Sequence, residues 1–106
     1  MNYGKISIRY AKALLGSATE QKATAKVYND MCTLEQSFSQ FATLQEVLDN
    51  PSIAAPEKAS VLKLACGKEI HPATARFIDF VLQQGRISHL RWMALMYQEL
   101  YRETQN

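Results

Sequence analysis

Cys32 and Cys66, His71 and His89, and the dipeptide Gly67-Lys68 are the residues of this chain that invite a chemical role. A zinc site would need ligands at short, regular spacing. Neither cysteine has a C-x-x-C partner, and neither has a histidine at ligand distance along the chain. Both read as small, half-buried, reduced thiols, and the chain holds too much core to need a disulfide framework. Gly67-Lys68 lacks the upstream glycine and the following Ser or Thr of a phosphate-binding loop. His71 precedes Pro72 at a predicted helix start, and His89 falls in the first turn of a later helix, so capping or surface roles are expected. No serine sits in a strand-turn-helix elbow. Glu57 and Lys58 open a helix, where Glu57 suits the positive end of the dipole. Asp79 reads as a solvated charge, and Trp92 as an anchor packed at the start of the last helix. Nothing assembles a nucleophile, a base and an oxyanion donor. The expectation is a non-catalytic protein with no cofactor, no metal and no small-molecule substrate.

The elements around these residues say more. A chain of 106 residues, 47% of them apolar, is one domain's worth and needs no metal or disulfide to fold. Its net charge is +2 with both signs scattered, so neither nucleic acid nor an anionic membrane surface is suggested as a partner. No apolar run approaches the ~18 residues of a membrane span, so no direct membrane insertion is expected. The N-terminus has no apolar signal core and no long Arg/Ser-rich segment, as expected of a bacterial cytoplasmic protein.

Apolar spacing predicts helices throughout and no sheet. The first runs from about Lys5 to Ala18. A second spans about Thr24 to Phe41, with Val27, Met31, Leu34, Phe38 and Phe41 three or four apart. Thr43-Leu44-Gln45-Glu46 reads as a capping box opening a short third helix that ends at Asn50. Pro56 starts a fourth, with Val61, Leu62 and Ala65 as core positions and Gly67 at its end. Pro72 starts a fifth and Gly85 ends it. Ser88 is expected to cap a sixth that carries Leu90, Met93, Met96, Tyr97 and Leu100. Short connections imply antiparallel neighbours, and the fold class is an all-α, single six-helix bundle.

Two of these helices are apolar on two sides. At about 100° per residue, Ile8, Ala11, Leu15 and Ala18 form one stripe of the first helix, with Leu14 at its border. Ile6, Tyr10 and Ala13 form another, with Ser17 beside them. In the fifth helix Thr74, Phe77, Ile78, Val81 and Leu82 make a core face, while Phe80 stands among Arg76, Asp79 and Gln83 on the other side. If the two helices lie side by side, Tyr10, Ala13, Arg76 and Phe80 line a groove. Small residues at Ala13, Gly16 and Ser17 let another backbone approach. An amphipathic partner helix is received in this way. We therefore expect a partner-binding groove of Tyr10, Ala13, Ser17, Arg76, Phe80 and Gln83.

Arg9-Tyr10-Ala11-Lys12-Ala13-Leu14 resembles the opening of the ATP synthase delta subunit family, called the oligomycin-sensitivity-conferring protein in mitochondria. Asn50-Pro51-Ser52-Ile53, then Pro56-Glu57-Lys58 and Val61-Leu62, resemble that family's middle. Gly85-Arg86-Ile87 is similar to its Asn-Gly-Arg-Leu signature, with Gln84 and Ile87 as mild departures. The resemblance implies a six-helix N-terminal domain over residues 1–106. It implies binding of the N-terminal helix of an alpha subunit between the first and fifth helices, with Tyr10, Ala13, Arg76 and Phe80 on the groove side. The implied function is mechanical: the subunit joins the catalytic head to the peripheral stalk, supporting proton-driven ATP synthesis. The family's smaller C-terminal domain, which contacts the stalk's b subunits, is not expected within a chain ending at Tyr101-Arg102-Glu103-Thr104-Gln105-Asn106. The implied location is peripheral, at the cytoplasmic face of the bacterial inner membrane. The competing reading is an unrelated helical adaptor that receives a different amphipathic helix.

Overall fold

A computed structural model of the chain describes residues 3–105. The outermost ends of the predicted domain, Met1, Asn2 and Asn106, lie outside the described residues. Among the described residues six α-helices follow one another: α1 (Tyr3–Glu20), α2 (Thr24–Gln40), α3 (Thr43–Asp49), α4 (Ala55–Ala65), α5 (Pro72–Gln83) and α6 (Leu90–Thr104). A 3-10 turn over Ile87–His89 precedes α6. The described residues include no strand.

The core forms where helical spacing brings apolar side chains to one line. α6 lies between α1 and α2 and packs most heavily against both. It contributes the fully buried Leu90, Met93, Ala94 and Tyr97; α2 contributes Val27, Met31 and Leu34. The Tyr97 hydroxyl donates to the Thr24 carbonyl at 2.9 Å, which satisfies the one polar atom of a large buried ring.

On α1 the core stripe is Ser7, Ala11, Leu14 and Ala18, not the expected line through Ile8 and Leu15. Ile8 is 38% exposed, and Ser7 is fully buried. The observed stripe steps by four, three and four, and three of its four members are small. Small residues let α1 come close to α6, and the larger Ile8 and Leu15 are left at its flank. In α2 the stripe ends at Phe38: Phe41 lies past the last turn and is 59% exposed. In α4 the buried positions are Lys58, Ala59 and Leu62, whereas Val61 faces outward. Lys58 reaches out of this face and donates from Nζ to the Leu48 carbonyl at 2.9 Å, closing the C-terminal end of α3.

Two expected caps do not form. Ala42 already has helical backbone angles, so Thr43 lies inside α3 and its side chain makes no cap. Ile87 is buried, which draws the preceding chain into the 3-10 turn, and α6 begins at Leu90 without a side-chain cap. Ser88 instead offers its carbonyl to Gln45 Nε2 at 3.2 Å. Trp92, expected as a packed anchor, is 46% exposed in the first turn of α6.

Other ends follow the sequence closely. Gly85 takes a φ of 70° after α5. The Arg86 N–H then reaches back to the Val81 carbonyl at 3.0 Å and the Gly85 N–H to Leu82 at 3.1 Å. Asn50 Oδ1 accepts from the Ser52 N–H at 2.9 Å, which turns the chain at Pro51. Cys32 and Cys66 are free thiols.

A candidate groove between the first and fifth helices

α5 is placed by an anchor at its N-terminus. Pro72 supplies the first helical residue, and the ring of His71 caps the helix by accepting the Ala73 N–H on Nδ1 at 3.0 Å. Asp30 of α2, fully buried, accepts three hydrogen bonds. They come from the His71 N–H at 2.9 Å, the Thr74 hydroxyl at 2.7 Å and Lys26 Nζ at 2.8 Å. A buried carboxylate with three donors is satisfied, and it fixes where α5 begins.

From that anchor α5 runs antiparallel to α1, so that Ala73 lies near Ser17 and Phe80 near Tyr10. The rings of Tyr10 and Phe80 are 5.9 Å apart and tilted by 37°. Two shallow depressions flank this pair. One, of about 230 Å³, is lined by Arg9, Tyr10, Ala13 and Phe80. The other, of about 190 Å³, is lined by Ala13, Leu14 and Ser17 of α1 and by Ala73, Arg76, Phe77 and Phe80 of α5. They share Ala13 and Phe80 and together make one groove. Phe80 is 47% exposed and projects between them.

Five of the six residues read from the sequence therefore lie together: Tyr10, Ala13, Ser17, Arg76 and Phe80. Gln83 does not join them. It lines a separate depression between α4 and α5, with Lys63, Asp79 and Leu82. Less than one turn beyond Phe80, Gln83 lies where α5 borders α4. Asp79 lies on the same side and pairs with Lys63 at 3.0 Å. Arg9 and Ala73 were not singled out by spacing. Arg9 borders Tyr10 in sequence, and Ala73 shares its helix face with Phe80 seven residues on.

Burial pushes the Cys66 thiol up to about 12, pushes the Tyr97 hydroxyl up and holds His89 below its usual range. A thiol so raised is a poor nucleophile at neutral pH. Among the described residues no group of three or more His, Cys, Asp or Glu could hold a metal ion. Among the described residues no helix is long and apolar enough to cross a membrane.

Phe41 and Val61, expected in the core, instead form part of a second apolar surface. With Leu64, which is 77% exposed, they border a depression of about 410 Å³ between the end of α2, α3 and α4.

By class, then, this is an all-helical chain with an apolar cleft between its first and fifth helices. Residues 6–106 match the ATP synthase delta (OSCP) subunit family. A protein of Parabacteroides distasonis named ATP synthase subunit delta is 41% identical over 97% of this chain and 57% of its own length. One of the same name from Bacteroides fragilis is 39% identical over 97% of this chain and 56% of its own length. Another, from Synechococcus elongatus, is 30% identical over 92% of this chain and 54% of its own. The chain belongs to the ATP synthase delta (OSCP) subunit family. It spans little more than half the length of the curated relatives it matches. No solved structure matches it significantly.

Proposed function

We propose that this chain is the N-terminal domain, a single six-helix bundle, of the delta subunit of an F-type ATP synthase. It is a non-catalytic part of the stator. The groove between α1 and α5 receives the N-terminal helix of an alpha subunit, and a C-terminal domain contacts the stalk's b subunits. The subunit thereby joins the catalytic head to the peripheral stalk, so that the head resists rotor torque while protons drive synthesis. It works peripherally, at the cytoplasmic face of the bacterial inner membrane.

One observation carries this reading. Phe80 is a large aromatic on the outer flank of a helix whose core face is complete without it. It packs on Tyr10 and is still half exposed. An apolar shelf of that kind is stabilised when a second apolar surface covers it, and small residues such as Ala13 beside it leave room for a helix backbone. The test is calorimetry of this chain with a synthetic peptide of an alpha subunit's first helix. Saturable one-to-one binding that is lost in Phe80→Ala is expected. No binding, or binding that survives Phe80→Ala, overturns the proposal.

A further inference from the structure

We infer that the groove selects its occupant by charge: it takes an amphipathic helix whose apolar stripe is bordered by carboxylates, and it rejects one bordered by lysines. The inference rests on the groove reading above and adds the chemistry of the occupant's flanks.

The charge around the groove is of one sign. Arg9 lines one depression and Arg76 the other, and no carboxylate lines either. Both arginines are exposed at the outer rims, one on each helix. α1 carries two further exposed cations, Lys5 and Lys12, and its acid, Glu20, is its last residue, beyond the end of the groove. α5 carries one acid, Asp79, which faces α4 and is held by Lys63. The groove therefore combines an apolar floor with two cationic walls.

Its length bounds the occupant. From Arg9 to Ser17 the groove follows α1 for roughly 12 Å at 1.5 Å per residue, about two turns of helix. A helix laid along it sets apolar residues three, four and seven apart against the two depressions. The residues bordering that stripe then pass Arg9 on one side and Arg76 on the other. Carboxylates there meet guanidinium groups, whereas lysines meet like charge. Rim charges of this kind govern encounter rate and partner choice more than the depth of binding. Discrimination against the wrong sign is the repulsive half of specificity.

The test uses two designed helical peptides with the same leucine spacing, one flanked by glutamates and one by lysines. They are titrated into the wild-type chain, Phe80→Ala and the double variant Arg9→Glu/Arg76→Glu. The wild type should bind the glutamate peptide at least about tenfold more tightly, and that preference should shrink steeply as salt shortens the screening length. The double variant, whose changes are exposed and whose melting point should match the wild type, should reverse the preference. Equal binding of both peptides at low salt, lost in Phe80→Ala, overturns the charge inference and leaves the groove standing. Binding of neither peptide, or binding that survives Phe80→Ala, overturns the groove reading as well.

Discussion

Tyr10 of the first helix and Phe80 of the fifth hold their rings 5.9 Å apart and tilted by 37°. The pair bridges two helices whose shared groove is also lined, on the α1 side, by Ala13, Leu14 and Ser17. Such a contact contributes about 0.5–1.5 kcal/mol beyond the area it buries. Each ring is therefore held in place before any partner arrives, which lowers the ordering cost of binding.

Phe80→Asp should separate binding from folding. Phe80 is half exposed and outside the core, so its loss, the Tyr10 contact included, should cost the domain about 1–2 kcal/mol, well below the cost at a core position. As an anchor it should cost at least ~2 kcal/mol of binding, and the carboxylate would add a desolvation penalty. Ile78→Asp is the comparison, because Ile78 is fully buried on the same helix and the change buries an unpaired charge. Leu64→Asp, on the separate apolar surface, should change neither quantity. Thermal melts and peptide titrations of the three variants decide. A Phe80→Asp variant that melts as badly as Ile78→Asp would show that the ring belongs to the core.

The anchor beneath α5 makes an independent prediction. Asp30→Ala leaves the Thr74 hydroxyl and the His71 N–H without their acceptor inside the protein, and should cost about 3 kcal/mol. Thr74→Val removes one donor and should cost about 1–2 kcal/mol. Lys26→Met should cost under about 1 kcal/mol, since that side chain is partly exposed and its pair is screened. Urea denaturation ranks the three. A Lys26 effect as large as that of Asp30 would mean that the ion pair, not the two links to α5, holds the site.

The helices were legible because their apolar spacing is regular and Pro56, Pro72 and Gly85 mark their ends. The groove was legible for the opposite reason: Phe80 and Tyr10 break the amphipathic pattern of their helices. Hydrophobicity alone misplaced three residues. Ile8 is more apolar than Ser7, yet the close approach of α1 to α6 selects the smaller side chain for the core. Phe41 and Val61 continue their helical stripes in sequence, but the chain has turned away from α2 at Phe41, and α4 keeps the expected Leu62 inward, with Ala59, while Val61 faces out. The Asp30 anchor joins residues more than forty positions apart and leaves no local signal. Gln83, less than one turn beyond Phe80, borders α4 where the groove residues border α1, and spacing within α5 carries no sign of that neighbour.

Lys22 follows α1 with a φ of 55°, a left-handed conformation at the place where α5 has Gly85. The same pair of hydrogen bonds closes both ends: Ala23 N–H to the Ala18 carbonyl at 2.8 Å, and Lys22 N–H to Thr19 at 3.1 Å. A lysine pays a steric cost there that glycine avoids. Lys22→Gly should stabilise the protein by up to ~1 kcal/mol, reduced by the greater freedom of glycine in the unfolded chain. Gly85→Ala should destabilise by about 1 kcal/mol. A Cβ there would meet nothing within 4 Å, so the cost is conformational alone. Opposite shifts in melting temperature, each of a few degrees, are expected; a rise for Gly85→Ala would contradict the left-handed assignment.

Alkaline pH should weaken the fold through Cys66. Burial raises its thiol from 9.0 to about 12, with the negative Asp30 adding to the effect and Lys26 opposing it. Below pH 9.0 the folded and unfolded chains both keep this proton, and stability does not change on its account. Between 9.0 and about 12 the unfolded thiol ionises while the folded one does not, so the unfolded state is favoured as pH rises. At about 1.4 kcal/mol per unit the loss across that window is at most ~4 kcal/mol. Tyr97 acts in the same direction above its ordinary value of 10.0, again mainly through burial. Cys66→Ala removes the first contribution. It should be somewhat less stable than the wild type at neutral pH, where it leaves a small cavity. It should then lose less stability between pH 9.0 and 10.0, below the range where Tyr97 contributes. Denaturant melts of both proteins across that interval measure the difference. Parallel curves would mean that the Cys66 thiol is hydrated in the folded protein. A thiol reagent gives the same answer at neutral pH, where the half-buried Cys32 should react well before the buried Cys66.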